Sequence, residues 1–124
     1  ENKYMNKKEK KYDLEERTER FAANCRAFIK ELVTTIGNRE DSKQLIRSSG
    51  SVAANYIEAN EAFSKKDFVF RSKICRKEVK ESRLWLSLCY ISQNQSELEN
   101  QRNFLIVEAI EITKIFGAIV ESCK

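Results

Sequence analysis

IRSSGSVAANYIEA, residues Ile46 to Ala59, carries two patterns at once. Ser48-Ser49-Gly50-Ser51 has the composition of a loop that cradles a phosphate, whereas the second half has the spacing of an amphipathic helix. A phosphate loop needs a preceding strand and a Gly-x-x-x-x-Gly-Lys spacing, and neither is present. Leu45, Ser49, Val52, Ala53, Tyr56, Asn60 and Phe63 fall in one register at about 100° per residue. Ser49 therefore continues the apolar stripe, and the whole stretch reads as helix. Gly50 in a helix interior costs about 1 kcal/mol relative to alanine, a cost best borne where a neighbouring backbone comes close. The small residues predict a packing surface.

Outward from this stretch, capping boxes divide the chain into four helices. Asp13-Leu-Glu-Glu16, Asn38-Arg-Glu-Asp41, Ser64-Lys-Lys-Asp67 and Ser96-Glu-Leu-Glu99 each place a short polar acceptor three residues before an acid. The first residue accepts from free backbone N–H groups, and the acid complements the positive end of the helix dipole. The predicted helices span about 13–36, 39–63, 65–92 and 97–122. The first carries Leu14, Phe21, Cys25, Phe28, Ile29, Leu32 and Ile36 on one face, with Gly37 as a left-handed cap after it. On the third, Phe70, Ile74, Trp85, Leu88 and Cys89 form the apolar side, with Glu78 and Glu81 in the same stripe. The expected fold class is all-α, an up-and-down antiparallel four-helix bundle over 13–124, preceded by a basic arm at 1–12.

The fourth helix is apolar over more than one face. Leu98, Leu105, Ala109, Ile112, Phe116 and Val120 form one stripe, and Phe104, Val107, Ile110, Ile115 and Ile119 occupy much of the rest. A lone bundle hides one stripe per helix, so the second set predicts an interface between copies of the chain.

Hydrophobic residues at 41% and charged residues at 34% describe a globular protein, and no stretch approaches the roughly 20 apolar residues of a membrane span. The N-terminal stretch ENKYMNKKEKKY has no apolar signal core, so a cytoplasmic location is expected, with no membrane partner. Cys25, Cys75, Cys89 and Cys123 form no CxxC pair and have no histidine to complete a zinc site, so they read as reduced packing residues. With no histidine in the chain, the commonest general base and metal ligand is missing. Glu78 and Glu81, with Glu58 and Glu61 on the preceding helix, could in principle form an all-carboxylate magnesium site. Burial more simply requires Glu78 and Glu81 to accept bonds from Arg47, Arg71, Tyr56 or serines at helix crossings. No catalytic, cofactor or metal residues are assigned.

Charge is distributed unevenly. The third helix sets Lys65, Lys66, Arg71, Lys73, Arg76, Lys77, Lys80 and Arg83 against only Asp67, Glu78 and Glu81, in a chain whose net charge is +4. Lys73, Arg76, Lys80 and Arg83 share a face opposite Ile74 and Trp85, and with Lys77 they form a candidate track for phosphates. Lys7 and Lys8 in the arm extend it. Nothing in the stripe resembles base-specific readout.

The three motifs IRSSGSVAANYIEA, SKKDF (Ser64 to Phe68) and ICRKEVKESRLWL (Ile74 to Leu86) resemble the bacterial four-helix-bundle proteins encoded in intervening sequences of 23S rRNA genes, formerly called S23 ribosomal proteins. The resemblance runs from about Asp13 to the end of the chain. It implies an up-and-down bundle assembling as a homopentamer, and a family without a settled biochemical function. A similar bundle occurs in the accessory variability protein of diversity-generating retroelements, a basic pentamer that works with a reverse transcriptase and nucleic acid. The expectation is thus a non-enzymatic homo-oligomer that binds RNA or DNA, with a nucleic-acid-processing protein as a further candidate partner. The alternative is a protein-interaction scaffold whose charge serves solubility.

Overall fold

The computed structural model describes residues 13–124; the arm, with Lys7 and Lys8, lies outside the described residues. Four helices follow one another: α1 (Leu14–Lys30), α2 (Ile36–Asn60), α3 (Lys65–Leu88) and α4 (Ser96–Ser122). Each packs on its neighbours in order, and α4 closes back on α1. This is an up-and-down four-helix bundle, as the periodicity requires. The quoted stretch is helical throughout, inside the unbroken 25 residues of α2.

The helix ends follow the sequence only in part. Ser64 caps α3 as expected, its hydroxyl accepting from Asp67 N–H at 3.1 Å. Asp13 caps α1 from a left-handed backbone conformation, φ 45°. Asn38 does not cap α2. Thr35 does, accepting from Asn38 N–H at 2.9 Å, and Gly37 lies in the first turn of α2 without a positive φ. α1 stops at Lys30 because Glu31 and Leu32 N–H groups turn back onto Phe28 and Ile29 carbonyls, after which the β-branched run Val33-Thr34-Thr35 reaches the next cap. Freed from capping, the Asn38 carboxamide donates to the carbonyls of Val33 and Tyr90, both at 2.9 Å, and accepts from Tyr90 N–H at 2.7 Å. It ties the α1–α2 connection to the segment after α3. Ser96 is the first residue of α4 rather than its cap, and the capping position, Gln95, makes no side-chain capping bond.

α3 ends at Leu88, short of the predicted 92. Arg102 of α4 explains the stop. Its guanidinium donates to the carbonyls of Leu86 and Cys89 while Glu99 holds its other edge at 2.7 Å. A cation placed on the last carbonyls of a helix satisfies acceptors that have no helical partner and complements the dipole.

The core is a stack of aromatic and branched side chains: Phe21 and Phe28 from α1, Leu45 and Val52 from α2, Phe68, Val79 and Leu86 from α3, Ile112, Phe116 and Ile119 from α4. Tyr56 meets Phe116 edge to face, centroids 5.6 Å apart. Between α2 and α3 the buried layer is small and polar. Ser48 and Ser82 hydroxyls bond at 2.8 Å, and Cys75 Sγ donates to the Val52 carbonyl at 3.4 Å. The small residues of the quoted stretch are the packing surface they promised to be.

The predicted apolar face of α3 is corrected. Its buried residues are Phe68, Ser72, Cys75, Glu78, Val79, Ser82 and Leu86, with Glu78 buried as its place in the stripe foretold, whereas Phe70 and Leu88 are exposed. Ile36 and Phe63, assigned to buried stripes, are also exposed: Ile36 is the first residue of α2, and Phe63 lies in the connection between α2 and α3.

Candidate nucleic-acid interface

α3 turns outward a face that begins one turn inside the helix and ends at its last residue. At 100° per residue, Phe70, Lys73, Lys77, Lys80, Leu84 and Leu88 lie within about 80° of one another. All six are exposed. Lys73, Arg76, Lys77 and Lys80 line one shallow groove of about 410 Å³ together with Glu81 and Leu84. Four of the five predicted α3 cations are thus brought together; Arg83 is exposed on the same helix but does not line the groove.

The acids nearby are spoken for. Arg47 of α2 grips Glu78 at 2.9 Å and Glu81 at 3.2 Å, with Glu78 almost fully buried. Desolvating that carboxylate demands such a partner. This is the structural role expected of the two glutamates, with Arg47 as the donor. Glu121 of α4 binds Lys124 at 2.8 Å, which holds its carboxyl below the usual range, with Arg76 contributing at longer distance. Lys77 has only a 3.8 Å approach to Glu78. Lys73, Lys80 and Arg83 have no ion-pair partner among the described residues, and their charge is left to solvent or ligand.

The four cysteines are free and buried. Burial pushes the thiols of Cys25 and Cys75 up to about 12 and that of Cys89 to about 11, far from the thiolate range that makes a cysteine reactive. Among the described residues, no three histidine, cysteine, aspartate or glutamate side chains group to hold a metal ion.

The second predicted surface, on α4, divides. Phe104 and Val107 are exposed by 65% and 59%, and Ile110 and Ile115 are half-buried. Ile119 is fully buried in the chain's own core, which removes it from any interface; its place on the helix belongs to the inward stripe with Phe116. Phe104 edges a groove of about 430 Å³ between α1 and α4, lined by Asn24, Ala27, Glu97, Asn100, Gln101 and Leu105.

The model of the 23S rRNA-intervening sequence protein family matches residues 10–118. The chain belongs to that family. The chain is also similar to the crystal structure of a protein of unknown function from the S23 ribosomal protein family of Bacteroides thetaiotaomicron. The two share 29% identity and a TM-score of 0.71, over 86% of this chain and 97% of that one. None of the curated proteins compared matches it. The family and the bundle expected from the three quoted motifs are therefore both established. No helix among the described residues is long and apolar enough to cross a membrane.

Periodicity assigns Phe70 and Leu88 to the buried side of α3 and leaves Leu84 out, yet all three are exposed on the basic face. Their signal was present: Phe70, Leu84 and Leu88 keep phase with Lys73, Lys77 and Lys80, not with Phe68, Cys75 and Val79.

Proposed function

We propose that this chain is a non-enzymatic cytoplasmic homo-oligomer, a pentamer by the resemblance to its family, that binds nucleic acid by the phosphate backbone along α3. The observation that carries this reading is the convergence of Lys73, Arg76, Lys77 and Lys80 on one groove while the neighbouring carboxylates are held by Arg47 and Lys124. Cations in excess of their local carboxylates are what phosphate neutralisation uses, and counterion release supplies its free energy. Assembly repeats the surface on each copy, and Phe104 and Val107 are the residues that favour assembly. Contacts of this kind position a strand without reading its sequence.

Salt titration tests the proposal. Log affinity for a nucleic acid falls linearly with log salt, by roughly 0.7 to 0.9 per neutralised phosphate. Converting Arg76, Lys80 and Arg83 to Glu lowers that slope by about 2 to 3 and leaves the helical circular-dichroism spectrum intact. Binding by the triple variant equal to that of the parent refutes the α3 assignment. Salt-independent recovery of a protein partner instead supports the scaffold reading.

A further inference from the structure

We propose that the α3 face selects single-stranded over duplex nucleic acid, its exposed apolar residues covering unstacked bases while its lysines track the phosphates. The proposal rests on the basic-face reading above and adds the form of the ligand. A surface meant only for a duplex backbone presents cations and hydroxyls, because the outside of a duplex offers phosphate and sugar. This face presents something else. Phe70, Leu84 and Leu88 are exposed by 57%, 49% and 54% on the strip that carries Lys73, Lys77 and Lys80, over a length of about 27 Å. Leu84 lines the same groove as the four cations. Large apolar side chains set among lysines on a solvated helix gain nothing from phosphates. They gain from a ligand with charge along one edge and flat apolar faces along the other. A single strand with its bases turned toward the protein is such a ligand, and aromatic platforms beside a cationic track are the general means of holding one.

Phe70 is prepared for this role. The Arg71 guanidinium lies 5.7 Å from its ring centroid and is itself fixed by a 3.0 Å bond to Asn55 Oδ1 on α2. A cation anchored over one face of the ring leaves the other face as an aromatic surface at the edge of the basic track. Bases stack on such a ring with little regard to sequence, which accords with a face lacking the amide groups of base readout.

The experiment is fluorescence anisotropy on the full chain. The probes are a labelled 20-nucleotide single strand of mixed sequence, as RNA and as DNA, the duplex of each, and poly-glutamate of matched charge, all across a salt series. Single strands of either sugar are expected to bind about tenfold or more tightly than their duplexes. Phe70→Ala with Leu84→Ala weakens the single strand by about tenfold or more, leaves the salt slope unchanged and leaves duplex affinity where it was. Phe70→Trp keeps single-strand binding. Both side chains are exposed, so thermal melting of the variants should match the parent. Equal affinity for strand and duplex, or no effect of the double variant, overturns the single-strand proposal while a persistent salt slope leaves the basic-face reading standing. Binding of poly-glutamate as tight as that of the strand overturns it too, because an acidic protein segment would then suffice. Absence of salt-dependent binding to every probe removes the underlying reading instead.

Discussion

Gly50 stands in the middle of α2 with no neighbour that needs its missing side chain. A Cβ built there would lie 3.5 Å from Arg26 Nη2, ordinary van der Waals contact with the mobile end of an exposed side chain. The serines around it behave as the stripe foretold, but the glycine is not the point of close approach. Ser48 and Ser82 make that contact, through hydroxyls bonded across the α2–α3 crossing. Gly50→Ala is therefore expected to stabilise the chain by about 0.5 to 1 kcal/mol, the helix-propensity difference, read as a higher urea midpoint at unchanged slope. A loss of stability would mean that the backbone at Gly50 is approached by something the single chain does not contain. Periodicity revealed that the stretch is helical and which of its residues face inward. It could not distinguish a glycine required by a neighbour from one merely tolerated, because that depends on atoms contributed by α1.

At the scale of the element, α3 shows where periodicity fails. Four of its seven buried residues are Ser72, Cys75, Glu78 and Ser82, so its buried face is hardly more apolar than its outer one. Phe70, Leu84 and Leu88 then outweigh the true core positions in any count of hydrophobicity. α4, with Leu105, Ile112 and Phe116 inward, was legible because large apolar residues mark its buried stripe without competition from serine. Helix ends were legible where capping is local, as at Ser64. They were illegible where the chemistry comes from another element, as with Arg102 on the carbonyls of α3 and Asn38 on Tyr90. Asn38 offers the sharper test. Asn38→Ala strands the Tyr90 N–H and withdraws the donor from two carbonyls at a site only 3% exposed. At 1 to 3 kcal/mol per buried group left unsatisfied, softened by water entering at the bundle end, the expected cost is about 2 to 4 kcal/mol in denaturant unfolding. An intact hydroxyl cap at Thr35 should keep α2 starting where it does, so the loss appears in global stability rather than in helix content. Had Asn38 been a simple cap, the cost would be nearer 1 kcal/mol.

For the whole molecule, the lengths of the helices decide which surface is left over. α1, at 17 residues, is about 25 Å long, and α4, at 27 residues, about 40 Å. Two polar ties hold them together, the bidentate Arg17–Glu108 pair at 2.8 Å and Gln95 donating to the Glu31 carbonyl at 2.8 Å. Between those ties the seam opens into the groove edged by Phe104, whose lining contains a single charged residue, Glu97, in a chain that is 34% charged. Depletion of charge around exposed aromatic and branched residues is how the centre of a protein interface differs from ordinary surface. The proposed homo-oligomer uses this seam, so Phe104→Glu with Val107→Glu should shift a native-mass distribution to monomers at micromolar concentration. Both side chains are more than half exposed, so the monomer's melting temperature is expected to change by no more than a few degrees. The consequence for binding separates assembly from contact. Each monomer keeps its own α3 track, so the salt slope per chain is retained, whereas affinity for a strand long enough to span several copies drops by about 10² to 10⁴ as linked sites become independent. A parent chain already monomeric at tens of micromolar would remove the interface and, with it, any gain from multivalency, leaving α3 to hold its ligand one helix at a time.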